Sequence, residues 1–339
     1  MYEAEKLEVD VMNARKAKFG LDHPDTLWSM YNLACTHKDQ GRLNEAEKLE
    51  VDVMNVRKAK LGLDHPDTLL SMSNLAWTYR GQGRLDEAEK LEVDVMNARK
   101  AKFGLDHPDT LWSMHNLAVT YNRQSRLSEA EKLQVDVMNA RRAKFGVDHP
   151  DTLSSMHNLA QTYNRQRRLS EAEKLDVDVM NVRKAKLGLD HPDTLWSMQN
   201  LAHTYRDQGR LNEAEKLGVD VMNARKAKLG LDHPDTLLRM HNLAWTYRAQ
   251  GRLNEAEKLE VDVMNARKAK FGVDHPDTLS SMYNLALTYR DQGRLNEAEK
   301  LEVDVMNAAP PAGGPGFALL PRPVRSPDRA DPWMHTQDR

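Results

Sequence analysis

The chain has 339 residues, with 49 Lys and Arg against 51 Asp and Glu, a net charge of −2, so no overall cationic field exists to draw nucleic acid or an anionic membrane. Cys35 is its only cysteine, which excludes an intrachain disulfide framework or a multi-thiolate metal site and suits a reducing compartment. Met1 to Asp10 are charged without an apolar core, and no run of about eighteen apolar residues occurs, so a soluble, cytoplasmic protein is expected.

The first segment, residues 1–22, contains Tyr2-Glu3-Ala4-Glu5, in register with Asn44-Glu45-Ala46-Glu47 further on. It reads as a second helix whose first-helix partner is missing, and a fragment of a longer protein is expected. From there His-Pro-Asp recurs at His23, His65, His107, His149, His191, His233 and His275, always 42 residues apart. Such a period means stacked supersecondary units, none of which can bury its apolar face alone. Seven tandem units are expected over residues 23–307, the last one shortened.

Within each unit two helices are predicted. In the first, Leu27, Met30, Leu33, Ala34 and His37 (Tyr in the other six copies) recur at spacings of three and four and form one buried stripe. Pro24 and Asp25 suit its first turn, and Gly41 its left-handed stop. The second is expected to open at Asn44, with counterparts Asp86, Ser128, Ser170, Asn212, Asn254 and Asn296 as N-caps and Glu47 completing a capping box. Ala46, Leu49, Val53 and Val56 supply its inward stripe, Arg57, Lys58 and Lys60 oppose the negative helix end, and Gly62 closes it. Copies three and four carry Ser125 and Arg167 in place of the cap glycine. From Ala308 to Arg339 the repeat gives way to a segment holding half the prolines of the chain, expected to be a disordered Pro/Gly/Arg-rich tail.

The unit resembles the tetratricopeptide repeat, through Leu33-Ala34, Tyr79 and its equivalents, and Ala46, in the 42-residue form typical of kinesin light chains. The Asp-His-Pro-Asp-Thr-Leu and Glu-Ala-Glu-Lys-Leu segments are closer still to the repeat arrays at the carboxyl ends of fungal NOD-like receptor proteins. The resemblance implies an all-α, right-handed superhelical solenoid of antiparallel helix pairs, with the exposed side of the first helix lining a concave groove. Where the family usually has an aromatic in the second helix, this chain has Glu50, Glu92, Gln134, Asp176, Gly218, Glu260 and Glu302, and thinner packing is expected there. Gly218 should cost its helix about 1 kcal/mol relative to alanine.

The copies are near-identical, so the positions that vary carry the information. In the first helix, variation concentrates at residues 28, 31, 35, 38 and 39 and their equivalents, which share a sector of about 100°. All five tryptophans of the repeats lie there: Trp28, Trp77, Trp112, Trp196 and Trp245. Tyr31, His115, His157, His203, His241 and Tyr283 accompany them. Large aromatics amid polar residues mark interaction surfaces. Arg80, Arg206, Arg248 and Arg290 stand at the edge, so a protein or extended peptide with acidic and apolar residues is the expected partner. The constant Asn32, Asn74, Asn116, Asn158, Asn200, Asn242 and Asn284 adjoin the sector, where each amide offers a donor and an acceptor to a peptide backbone. The competing reading is that these amides tie neighbouring helices together, and that block duplication copied the tryptophans.

Catalysis is not expected. His-Pro-Asp is also the signature of J-domain co-chaperones, but here it punctuates every repeat, where turn and cap duty explains it. No rung offers four convincing zinc ligands, no nucleophile, base and orienting group converge, and no Gly-rich phosphate loop is present; no cofactor is implied. The Arg57-Lys58-Ala59-Lys60 clusters alternate with acids and read as helix-end compensation, not as a nucleic-acid site. The expected function is a protein-interaction scaffold, the sensing region of a fungal NOD-like receptor, with a kinesin-light-chain-like cargo adaptor as the alternative.

Overall fold

The computed structural model describes residues 2–308; the expected disordered tail, beyond Ala308, lies outside the described residues. Among the described residues all regular structure is α-helical. The first helices of the seven copies are α2 (Pro24–Asp39), α4 (Pro66–Gly81), α6 (Pro108–Arg123), α8 (Pro150–Arg165), α10 (Pro192–Asp207), α12 (Pro234–Ala249) and α14 (Pro276–Asp291). Their second helices are α3 (Leu43–Leu61), α5 (Leu85–Phe103), α7 (Leu127–Phe145), α9 (Leu169–Leu187), α11 (Leu211–Leu229), α13 (Leu253–Phe271) and α15 (Leu295–Ala308), and α1 (Tyr2–Phe19) precedes them all.

His-Pro-Asp is a helix start. His23 occupies the N-cap in an extended conformation, its Nδ1 accepts the Asp25 N–H at 3.2 Å, and Pro24 follows where its missing N–H costs nothing. The same cap recurs at all seven first helices. Their ends are equally regular. Gly41 takes a positive φ of 75°, while its own N–H and that of Arg42 donate to Lys38 and His37 carbonyls, closing off orphan acceptors. Ser125 and Arg167 hold this conformation too, at φ 62° and 63°.

The second helices do not start as expected. α3 begins at Leu43, Arg42 takes the N-cap position without a side-chain cap bond, and the first helical bond runs from Ala46 N–H to the Arg42 carbonyl. Asn44 is therefore already inside the first turn, too far along to cap it. Glu47 makes no capping box either: it accepts from Gln82 at 2.8 Å and Arg84 at 2.7 Å, both in the next copy. Arg84 also bonds Glu87 and lies over the Tyr79 ring, 4.1 Å from its centroid. This tyrosine, arginine and glutamate set repeats at Arg126, Arg168 and Arg210. It joins copy to copy, and accounts for the constancy of the Gly-Arg-Leu and Glu-Ala-Glu segments.

Contacts divide the chain into two compact units, one running to Val221 and the other starting at Met222. In the first, each helix from α1 to α10 packs against the next. The four pairs from α2–α3 to α8–α9 each have a small core, as where Leu69, Met72 and Val95 meet Leu91 and Ala98, and Met54 reaches in from the preceding copy. Met12, Met96 and Met138 are likewise lent to the following pair. A flexible thioether suits this seam, because it fills irregular gaps. In the second unit α12 to α15 pack in the same alternating order, with Met222 and Met264 in the lending role.

Candidate interaction face of the first helices

The variable positions do lie on one side of the first helices, since Leu27, Met30, Leu33 and Ala34 beside them are all buried. Within that side, exposure differs sharply. Trp28 is 48% exposed and Trp196 39% exposed, and Leu70 is exposed at the position equivalent to theirs. Trp77, Trp112 and Trp245 are only partly exposed. Trp28 leans on Tyr31, with ring centroids 5.3 Å apart. Trp112 and Trp196 are braced from the preceding copy by Arg99 and Arg183, each 5.2 Å from the ring, and Lys38 sits 5.1 Å over Trp77. These cation–π contacts hold the indoles in place.

Among the histidines and asparagines, His115 with Asn158 and His157 with Asn200 tie neighbouring first helices together. His157 is buried, contacts Gln161 at 2.6 Å and Asn200 at 3.3 Å, and its ring lies 3.9 Å from that of Trp196. Asn158 approaches His115 at 3.5 Å, a ring whose pKa is pushed down to about 4 by burial and by Arg141 and Arg80. Asn116 is buried, and Asn284 donates to the Ser280 carbonyl at 2.7 Å. Asn32, Asn74, Asn242, His203, His241 and Tyr283 are partly buried. The helix-tying role thus accounts for Asn158 and Asn200.

The edge arginines are not a free cationic rim. Arg80 is only 8% exposed, pairs with Glu92 at 3.1 Å and donates to the Asn116 carbonyl at 3.0 Å; burial pulls its pKa down. Arg248 pairs with Asp291 at 2.8 Å and Arg290 with Glu302 at 2.7 Å. Arg206 is desolvated, which lowers its pKa.

These pairs correct the reading of position 50 and its equivalents. Glu50, Glu92, Gln134, Asp176 and Glu260 are buried, so the seam is filled with polar groups in place of an aromatic. Each receives a threonine hydroxyl from the next copy: Thr78, Thr120, Thr162, Thr204 and Thr288. Glu50 also pairs with Lys38 at 2.9 Å. In six of the seven copies positions 38 and 50 vary together: Lys or Arg stands with Glu, Asn122 with Gln134 and Asn164 with Asp176, while Arg206 stands with Gly218. Pairwise comparison of the copies carries this signal, and reading each position alone misses it. Part of the variation on this face maintains the stack, and Trp28, Leu70 and Trp196 remain exposed on it.

Two family models, both described as tetratricopeptide repeat, match residues 109–185, 151–227 and 200–269, and residues 26–67, 68–109 and 278–308. No curated protein sequence matches the chain. Among solved structures, a putative kinesin light chain from Podospora anserina with nearly identical repeats is similar at 31% identity, over 60% of this chain and 96% of its own, with a TM-score of 0.55. A signal-transduction ATPase from Pyrococcus horikoshii with a tetratricopeptide repeat sensor is similar in fold at 14% identity, over 89% of this chain and 46% of its own, with a TM-score of 0.63. The quorum sensor NprR from B. thuringiensis shares the fold at 13% identity, over 91% of this chain and 93% of its own, with a TM-score of 0.55.

Proposed function

The chain belongs to the tetratricopeptide repeat family, in its 42-residue kinesin-light-chain-like form, and from that premise we propose that it is a scaffold whose first helices dock a protein or an extended peptide in a concave groove. The observation that carries this reading is the exposure of Trp28, Leu70 and Trp196 on one side of the first helices, with Trp28 held against Tyr31 and Trp196 against Arg183. Rigid, solvent-facing indoles suit a binding surface, because little side-chain entropy is lost when a partner covers them. Arg80 and Arg248 are occupied by internal carboxylates, so apolar side chains of the partner carry most of the affinity.

The receptor reading places this array at the sensing end of a fungal NOD-like receptor. It draws support from the Asp-His-Pro-Asp-Thr-Leu and Glu-Ala-Glu-Lys-Leu segments and from the sensor role named for the array of the P. horikoshii ATPase. The cargo-adaptor alternative is favoured by one observation, the 31% identity to the P. anserina putative kinesin light chain. Sequencing the transcript upstream separates the two: a P-loop domain supports the receptor, heptads the adaptor. For the site itself, peptides selected by display on the full chain are titrated against Trp28→Ala and Trp196→Ala. Each variant should bind at least about tenfold more weakly, equivalent to about 1.4 kcal/mol. Unchanged affinity in both would remove the aromatic row from the site.

A further inference from the structure

We propose that the loops joining the first to the second helices of copies three and four form a docking edge for an acidic polypeptide segment. This surface lies apart from the exposed tryptophans, and the inference does not depend on their role. Each such loop varies at the last residue of the first helix, at the residue in the left-handed conformation and at the second residue of the second helix. Copy one has Asp39, Gly41 and Asn44 there, copy two Gly81, Gly83 and Asp86, and copy five Asp207, Gly209 and Asn212. Copy three has Arg123, Ser125 and Ser128, and copy four Arg165, Arg167 and Ser170. All six of these side chains are exposed, with exposed Asp39 and Asp86 in the copies before them and exposed Asp207 in the copy after.

The constant residues of the edge do not cancel this charge. In copy four Arg168 bonds Glu171, Lys174 acts on the same carboxylate, and Glu173 is held by Arg210 of copy five, just as Glu131 of copy three is held by Arg168. One arginine, one lysine and two glutamates per copy balance, so the variable positions set the sign. Arg123 donates to the Arg80 carbonyl at 2.9 Å, and Arg165 donates to the Asn122 carbonyl. Each guanidinium is thus anchored on the end of the preceding first helix by a neutral acceptor. Arg123 and Arg167 form no ion pair among the described residues. Arg167 holds φ 63°, in a place where five copies have glycine, and only its backbone N–H serves the cap, donating to the Asn164 carbonyl at 3.0 Å. An exposed cation kept in a strained conformation that its side chain does nothing to support points to a partner outside the fold.

Carboxylates are the matching chemistry, because a guanidinium plane pairs with them through two parallel hydrogen bonds. The amino ends of α7 and α9 add to the attraction, since neither has a side-chain cap bond and the positive end of each helix dipole stands there. Copy two shows that the first turn accepts a carboxylate: Asp86 sits in it and receives Gln124 of the next copy at 3.1 Å. Ser128 and Ser170 leave that place to a carboxylate from elsewhere. Length decides between classes of polyanion. A nucleic-acid strand, charged at every residue, would run on past Asp86 or Asp207 and be repelled. A short acidic stretch of polypeptide fits between them.

Fluorescence anisotropy of a labelled octaglutamate peptide, titrated with the full chain at low salt, tests this. The parent should bind it and lose affinity as sodium chloride is added. Arg123→Gln combined with Arg167→Gly should weaken binding by about tenfold. Arg167→Gly relieves the left-handed strain, so that variant should melt no lower than the parent, and its loss of affinity is then not a loss of folding. Lys258→Gln removes an exposed cation far along the chain and should bind like the parent. A parent that leaves octaglutamate unbound at low salt overturns the proposal, as does a double variant that binds like the parent or a Lys258→Gln variant that loses as much. An oligothymidylate of equal charge bound more tightly than octaglutamate would overturn the assignment to polypeptide.

Discussion

Glu92 shows how a single carboxyl can set the behaviour of a seam. It is buried between copies, with Arg80 at 3.1 Å and the Thr120 hydroxyl at 2.5 Å. Burial nevertheless outweighs both partners and pushes its pKa up to about 7. Glu260 is raised to about 7 in the same way, against the opposing pull of Thr288 and Arg248. A carboxyl whose pKa is higher folded than unfolded binds more protons in the native state between those two values. The stability these two carboxyls contribute therefore falls as pH rises from about 4.5, the ordinary value, to about 7, while His115, with its lowered pKa, opposes the fall with a rise between about 4 and 6.5. Each such group contributes a slope of at most about 1.4 kcal/mol per pH unit. Urea unfolding followed from pH 4.5 to pH 8 should show the net decline of two carboxyls over one histidine, and Glu92→Gln with Glu260→Gln should remove the decline and leave the rise due to His115, because Gln134 already fills the same place as a neutral amide that receives Thr162. An unchanged slope in the double variant would mean that other groups carry the pH dependence.

At the scale of the helix, local signals are legible in the sequence and long-range ones are not. Pro24 after His23 and the cap glycines act within a turn or two, so the starts of the first helices and the ends of both can be read directly. The start of α3 is missed because Asn44 and Glu47 satisfy a capping-box pattern, while the true partner of Glu47, Arg84, lies 37 residues along the chain. The candidate site is half legible for the same reason: the sector of 28, 31, 35, 38 and 39 follows from helical geometry, but that Arg80 turns away to Glu92 depends on neighbours in space. Ser125 and Arg167 are legible and carry a prediction. Both are exposed and hold a positive φ, which costs a non-glycine residue about 1 kcal/mol. Ser125→Gly and Arg167→Gly should each raise stability by about that amount, and in the parent, hydrogen exchange should be earliest over residues 120–170. Equal protection along α4 to α10 would show that the strain is absorbed locally.

Over the whole chain the array is a series of small cores, each shared only with the copies beside it, and its response to damage should be correspondingly local. Leu117 is buried in the middle of the first unit. Truncating it to alanine removes about 2 to 5 kcal/mol of packing, a loss large enough to open its own copy and loosen those that lean on it through the lent methionines and the Glu47-type bridges. Met222 to Ala308 form a separate compact unit with cores of their own around Leu237 and Leu279. Native-state hydrogen exchange on Leu117→Ala should therefore accelerate over α4 to α8 and leave α13 to α15 at parental rates. If protection instead falls equally from α2 to α15, the chain unfolds as one cooperative block, and the nearest-neighbour account of its stability is wrong. A local response would also bear on docking, because a partner covering several rungs would then stabilise those rungs in proportion to its contacts, and the extent of slowed exchange on binding would map its footprint.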